Sequence, residues 1–325
     1  MKIKVYTDDG IIWHRDRLVK DITNAVSANI PIEFDTNTEG PDLTTVGLYD
    51  IVDTVIKDTD YPLSNITVST ANLYENYPGV NYKKEAPYIY CRFAQGVNLD
   101  AVPKDFTSDF KHIGYFVSRC NWHRLKIAGE LYQNYSDKTL LTFHYDPISD
   151  YHQANLELSQ LMHYEGADAV VTAANLLKAA PITLDEPEVY PIVHPRGYNL
   201  YSHYRKFFAE IVSETYLQGD TFFPTEKLWR PIMMLTPFIV QGPQRYIERL
   251  QKLGFRTFNH WWTEGHDEDP YNCHASAVCD IVDEISRYSV TELDKIYNEM
   301  LPNLVHNRNL MFSLTEKQML ELLSA

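Results

Sequence analysis

Arg124 and Lys227 are the cations whose neighbours invite a chemical reading. Arg124 closes the run Asn121-Trp122-His123-Arg124, just beyond the apolar stretch Ile113 to Val117. Lys227 closes Thr225-Glu226-Lys227, a short loop after Phe207 to Glu214. An arginine presents a planar fork of donors and a lysine a compact charge, and either can oppose the charge of a phosphate group. Thr225 suits the first position before a helix, where its hydroxyl accepts a backbone amide, and Glu226 suits the positive end of that helix. Capping alone is one reading of both residues; contact with a ligand's hydroxyls is the other. Carboxylates placed to take a proton from a hydroxyl are Asp8 and Asp9, after the first strand candidate, and Glu75, beyond Val68-Ser69-Thr70. Each also reads as a turn or solvated carboxylate. Asp8 ranks first, because a strand end positions a side chain more tightly than a long loop.

Those residues need elements to hold them. Strand candidates at Ile3 to Tyr6, Ile66 to Ser69 and Tyr88 to Cys91, with an amphipathic helix over Leu48 to Lys57, make the first hundred residues an α/β unit. A Gly, Asn, Asp and Pro-containing stretch from Phe93 to Phe110 reads as a linker, which puts a boundary near residue 108. Beyond it Ile113 to Val117, a helix over Trp122 to Tyr132 and a strand over Leu140 to Tyr145 form a parallel crossover. Leu156 to Met162 reads as a helix and Val189 to His194 as a short strand. Phe207 to Glu214 and Pro237 to Gly242 are strands whose ends carry polar chemistry, where open α/β sheets meet their ligands. A helix over Tyr246 to Leu253 leads to Phe255-Arg256-Thr257-Phe258. Ala275 to Tyr288, Val290 to Leu301 and Thr315 to Leu323 read as closing helices. Pro231 cannot donate to Lys227, so the helix begun at Glu226 is either kinked or short. Met233-Met234-Leu235 reads as a hydrophobic layer.

Across 325 residues, 29 Lys plus Arg face 44 Asp plus Glu, a formal charge of -15 that argues against a broad nucleic-acid-binding surface. Zinc-finger spacing, a basic zipper and a P-loop are all missing. With 44% hydrophobic residues the chain can build large cores. The four cysteines, Cys91, Cys120, Cys273 and Cys279, read as free thiols, and the irregular set His266, Cys273, His274 and Cys279 is a poor zinc site. No long apolar run indicates a membrane span or leader, so the expectation is a soluble cytoplasmic protein.

In Phe208-Ala209-Glu210-Ile211-Val212-Ser213-Glu214 followed by Asp220 to Arg230, and in Tyr115 to Arg124, the chain resembles nucleotide-sugar-dependent glycosyltransferases of the fucosyltransferase-like group, including phage enzymes. The likeness covers roughly residues 110 to 260. It implies two Rossmann-like α/β domains facing a cleft in the GT-B manner: an acceptor-side domain over 1–108, a donor-binding domain over 109–274 and a helical extension over 275–325 bracing them. It further implies transfer of a sugar from a nucleotide-sugar to an acceptor hydroxyl, with inversion and without metal or tightly bound cofactor.

On this resemblance Ser118, Asn121, Arg124, Glu214, Phe223, Thr225, Glu226 and Lys227 contact the donor. Phe223 stands where the family usually has tyrosine, and so lacks a hydroxyl. Arg124 and Lys227 stabilise the departing nucleotide, and Asp8 or Glu75 activates the acceptor. The acceptor is a glycan or another hydroxyl-bearing molecule. A phage enzyme glycosylating modified DNA bases in the host cytoplasm is one alternative, and a noncatalytic nucleotide-sugar or glycan binder another. The segment His260 to Asp269 is a further candidate for lining the cleft.

Overall fold

The computed structural model describes residues 1–8, 11–36, 39–85, 104–117, 120–146, 150–184, 203–264 and 275–324. The expected strands at Tyr88 to Cys91 and Val189 to His194 lie outside them, as do Ser118, Asp9, Cys91, Cys273 and residues 265–270. Two parallel sheets organise the chain, each with its own hydrophobic core.

The first sheet has the order β1 (Lys2–Lys4), β4 (Ile32–Asp35), β5 (Ile66–Thr70), β6 (Asn81–Lys84), all parallel. Between β1 and β4 the chain makes a small hairpin, β2 (Thr7–Asp8) with β3 (Ile11–Ile12), and then helix α1 (Arg15–Ser27). Helix α2 (Leu48–Ile56) joins β4 to β5. Because the sheet advances in one direction, right-handed crossovers place both helices on one face. Ile3, Ile32, Phe34, Ile66 and Val68 point to that face and are buried with Leu18 and Ile22 of α1 and Ile51 and Val52 of α2. The alternate residues form a polar face, where Lys2 pairs with Asp35 at 3.0 Å and Lys83 with Glu33 at 2.6 Å. The sequence reading places neither α1 nor β4, although Leu18, Ile22 and Ala25 follow helical spacing and Ile32-Glu33-Phe34-Asp35 alternates.

The second sheet runs β10 (Phe238–Gln241), β9 (Phe207–Ser213), β7 (Lys111–Val117), β8 (Thr139–Phe143), again all parallel. Its connections are α3 (Trp122–Asn134) after β7, α4 (Tyr151–Glu165) and α5 (Ala167–Ala179) after β8, α6 (Glu226–Met233) after β9 and α7 (Tyr246–Lys252) after β10. Every residue of β9 and β10 is buried, as strands covered on both faces must be. Glu210, in the middle of β9, is neutralised by Arg230 of α6 and by the Tyr204 hydroxyl. Lys104 is half-buried beside them and donates to Tyr204 O, Phe207 O and Thr236 Oγ1 at 2.8, 2.6 and 2.8 Å. The helix begun at Glu226 does not stop before its proline: α6 continues to Met233 with Pro231 inside, and the Pro231 carbonyl accepts from Thr236 N at 2.9 Å.

Helices α8 (Ala275–Ser286), α9 (Val290–Ser313) and α10 (Glu316–Ser324) add their apolar faces to the second core, on α3, α6 and α7 respectively. Ser289 and Glu292 open α9 with a reciprocal capping box. This helix extends beyond the expected end at Leu301, straight through Pro302. Packing outweighs the lost bond: Leu304, Asn307 and Met311 are buried, and Asn307 both accepts from Arg256 N and donates to Arg256 O at 2.7 Å. Phe255 to Phe258 is accordingly an irregular segment with Phe255 and Phe258 in the core, not a strand.

Candidate functional site at the carboxyl ends of the second sheet

After β7 the chain turns to one side for β8 and returns on the other side for β9. The crevice beyond the carboxyl ends of β7 and β9 is therefore the switch point of the sheet, the place where such folds bind ligands. Arg124, in the first turn of α3, crosses it. Its side chain is buried, and Nη2 donates to Glu214 O at 2.9 Å and Ser213 O at 3.3 Å. Ser213 Oγ lies 2.8 Å from Tyr115 OH and donates to Gln241 Oε1 at 2.7 Å, so the ends of β7, β9 and β10 are tied side to side.

Glu214 is 1% exposed. Such a carboxylate must find donors within the protein, and it does: Oε1 accepts from Thr225 N at 3.1 Å and Tyr246 OH at 2.5 Å, while Oε2 accepts from Thr225 Oγ1 at 2.5 Å. Burial beside this carboxylate pushes the Tyr246 phenol well above its ordinary pKa, which keeps it a donor. Thr225 caps α6 by accepting from Lys227 N at 3.3 Å. Lys227 Nζ donates to Thr225 Oγ1 at 3.0 Å and Thr215 Oγ1 at 3.1 Å, and stands 4.0 Å from Glu214 Oε2 and 3.6 Å from Glu226 Oε1. Lys227 and Glu226 are only half-buried. Thus Glu214, Thr225, Glu226 and Lys227 form one cluster, with Glu214 holding the turn from inside and the other two charges reaching its surface.

Asn121 occupies the position before α3 in extended backbone, half-buried, without a side-chain cap bond. The first amide of the helix, Trp122 N, instead donates to Glu157 Oε2 of α4 at 2.7 Å. His123 is buried beside Arg124; desolvation, then the adjacent guanidinium, holds its pKa well below the usual imidazole range.

Phe223 lies apart from that cluster, where the two sheet units meet. Its ring packs on Tyr216 with centroids 6.0 Å apart and against Gly40, where an added Cβ would fall 2.7 Å from Phe223 Cβ. The loop from Tyr216 to Phe223 is docked on the loops beyond the carboxyl ends of the first sheet. Thr221 Oγ1 donates to Gly40 O at 2.5 Å, Asp220 N to Asp42 Oδ2 at 2.7 Å, and Tyr216 OH to Glu39 Oε2 at 3.2 Å. Asn72, fully buried, takes both halves of an amide pairing with this loop, accepting from Phe222 N at 3.1 Å and donating to Asp220 O at 3.2 Å. From the other side Arg249 of α7 donates to Thr221 O at 2.7 Å, pairs with Asp220 and lies 3.9 Å over the Tyr74 ring.

Glu75 sits behind Asn72. Its Oε2 accepts from Leu43 N at 3.0 Å and Asn72 Nδ2 at 3.2 Å, and Oε1 accepts from Tyr49 OH at 2.9 Å. Burial is the largest influence and raises its pKa to about 7 despite those donors. Asp8 ends β2; the neighbouring Thr7 Oγ1 is 3.4 Å from Tyr216 OH, so this hairpin also borders the second unit.

Asn72, Asp42, Glu157, Tyr246 and Arg249 were not singled out from sequence. Only Asn72 had a legible signal, as a polar residue just past a strand end. Among the described residues no three His, Cys, Asp or Glu side chains gather as metal ligands, and no helix is long and apolar enough to cross a membrane. Cys120 and Cys279 are free thiols.

No family model and no curated protein matches the chain. Among solved structures it is similar to α,α-trehalose 6-phosphate synthase from Burkholderia multivorans, at 11% identity and a TM-score of 0.40 over 99% of this chain and 70% of that one. A UDP-forming α,α-trehalose-phosphate synthase from Burkholderia vietnamiensis gives 11% identity and 0.38 over 90% and 67%. Superpositions this loose assign neither a family nor a reaction.

Proposed function

We propose that the chain is a GT-B-type glycosyltransferase that moves a sugar from a nucleotide-sugar to an acceptor hydroxyl. The observation that carries this reading is the convergence of Arg124 and the Glu214, Thr225, Lys227 cluster at the switch point of the second sheet, opposite the loop ends of the first. In this reading residues 109–274 bind the donor, residues 1–108 the acceptor, and 275–325 complete the fold. Lys227 and the amino end of α6 stabilise the leaving phosphate. Arg124 fixes the β9 terminus on which the phosphates rest and contributes its positive charge to them. Ser118, Asn121 and Glu226 supply further polar contacts, Glu214 and Thr225 hold the turn, and Phe223 packs the donor side against the acceptor side.

Asp8 activates the acceptor hydroxyl, with Glu75 as the other candidate base. A carboxyl titrating near 7 is matched to proton abstraction at neutral pH, whereas its three internal donors must yield before it can reach a substrate. One specific observation favours a second reading, a nucleotide-sugar binder without turnover: Glu214 and Arg124 already spend hydrogen bonds on their own chain.

Nucleotide release from GDP-, UDP-, ADP- and CMP-linked sugars, with and without glycan acceptors, tests the proposal. Acceptor-dependent release from one of them is the expected result. Binding with no release supports the second reading, and neither binding nor release from any donor overturns both.

A further inference from the structure

Outside the switch-point crevice, a pocket of about 230 Å³ runs along β1 on the outer edge of the first sheet. It is bounded by β1 itself, by the first turns of α1 and by the end of the hairpin, and its lining includes Lys2, Lys4, Tyr6, Trp13, Arg17 and Asp21. Three properties set it apart from ordinary surface. Tyr6 and Trp13 are 49% and 54% exposed, and Ile11 of the adjoining hairpin 59%, so rings and apolar groups stand about half open to solvent. Lys2, Lys4 and Arg17 are among its lining residues, with Asp21 the carboxylate of that lining, in a chain of net charge -15. Part of that charge is spent: Lys2 lies 3.0 Å from Asp35 and 3.6 Å from Glu33 on the polar sheet face, and Arg17 3.8 Å from Asp21.

The third property is the strand edge. Met1 O accepts from Glu33 N, and Val5 N donates to Asp35 O, so the odd-numbered residues face β4. By the two-residue period of a strand, the main-chain groups of Lys2 and Lys4 face the pocket. Lysines on an edge strand guard against pairing with another strand. That role accounts for Lys2 and Lys4, but not for the exposed Tyr6, Ile11 and Trp13 beside them, which work against it.

We propose that this groove binds an acidic oligosaccharide, as the acceptor-side subsite of the transfer proposed above, on which this inference rests. Aromatic faces with nearby cations and edge-facing main-chain polar groups fit sugar rings that carry carboxylates. From Lys2 to Tyr6 the extended chain spans roughly 13 Å at the usual rise per residue, with Lys2 and Lys4 along it, Arg17 on the facing helix and both rings at the hairpin end, which suits several charged sugars in sequence better than one small anion. A nucleic acid would need a longer basic track than three partly compensated cations. The hairpin also carries Asp8 and touches Tyr216 of the second unit through Thr7, so a glycan lying in the groove leads toward the domain junction.

Calorimetric titration of the full chain with trigalacturonate, maltotriose, mannose 6-phosphate and a short oligothymidylate tests this. The expected order puts trigalacturonate at least about tenfold tighter than the other three, with Trp13→Ala and Arg17→Glu each weakening it about tenfold, as loss of an anchoring contact does, at unchanged melting temperature. Equal binding of maltotriose, preference for mannose 6-phosphate or the oligonucleotide, or indifference to both substitutions overturns the proposal. Nucleotide release measured on the same preparations separates the two claims. Trigalacturonate binding that needs Trp13 and Arg17 while no nucleotide-sugar is consumed removes the transferase reading and keeps the glycan groove. Turnover with wild-type acceptor KM in both variants removes the groove and keeps the transferase.

Discussion

Glu214 and Lys227 differ in what their loss should do, because one is enclosed and the other half-exposed. Glu214→Gln keeps the shape but replaces one acceptor oxygen with a donor facing Thr225 or Tyr246. Loss of charge-assisted bonds of this kind costs about 2 kcal/mol, so the variant should unfold at lower denaturant concentration and bind nucleotide-sugar weakly. Lys227→Met removes a charge that rests on Thr215 and Thr225 at the surface of the turn. It should leave the unfolding midpoint within experimental scatter and lower transfer turnover at least about tenfold, the loss of one preorganised contact to a developing charge. Parallel denaturation and steady-state assays decide it, and a Lys227 variant with full turnover removes that residue from the chemistry. Glu75 makes a different prediction. Its folded pKa of about 7 stands above the ordinary 4.5, so the folded protein holds a proton that the unfolded chain releases. The resulting stabilisation is complete below about pH 4.5 and is lost as pH rises through about 7, by up to about 3 kcal/mol. Glu75→Gln should flatten that part of the stability curve in denaturation series at pH 5 and pH 8, and an unchanged slope assigns the titration elsewhere.

Elements differ in how openly they are written. The strands of the second sheet stand out as apolar runs because both of their faces are covered, and Phe207 to Ser213 needs no help from periodicity. Ile32-Glu33-Phe34-Asp35 is as firmly a strand, yet one face is polar and it is only four residues long, so it yields a weak signal. Helix α5 is hidden for another reason: its buried face is largely Ala169, Ala173 and Leu176, chosen for closeness more than for hydrophobic contrast. That closeness has its counterpart in α3, where a Cβ on Gly129 would fall 3.0 Å from Ala173 N and 3.1 Å from Thr172 C. The obstacle is backbone, which cannot swing aside. Gly129→Val should therefore separate α3 from α5 and destabilise the fold by about 1–3 kcal/mol, with Arg124, on the same helix, displaced from the β9 carbonyls. Thermal melts with donor titration would register both effects. An unaltered melt means that the helix pair can slide apart freely.

At the scale of the whole molecule, the two-unit α/β plan and the gathering of Glu214, Thr225 and Lys227 in the second unit were legible, whereas the junction was not. Its residues are single positions scattered across the chain, and no local pattern marks Gly40, Asp42, Asn72 and Arg249 as neighbours. Yet the loop they clamp is the one that joins Glu214 to Thr225, so the first unit sets the geometry of the second unit's site. Asn72 is the point at which this coupling is narrowest, since one buried side chain serves Glu75, Asp220 and Phe222 together. Asn72→Ala strands Phe222 N and Asp220 O, and removes a donor from Glu75, each an unsatisfied buried group worth about 1–3 kcal/mol. Release of the loop from the first unit relieves the cost at Phe222 and Asp220, because both can then reach water. The expected outcome is a wider distribution of domain separations in small-angle scattering, with transfer falling more steeply than nucleotide affinity, since catalysis needs both units in register and donor contacts lie mainly in one. Asn72→Asp keeps the acceptor for Phe222 N but sets a carboxylate against Glu75, so it should restore less at pH 8, where Glu75 is ionised, than at pH 6, where it is protonated. Scattering and transfer rates that match wild type in the alanine variant would show that the loop holds its place without the first unit.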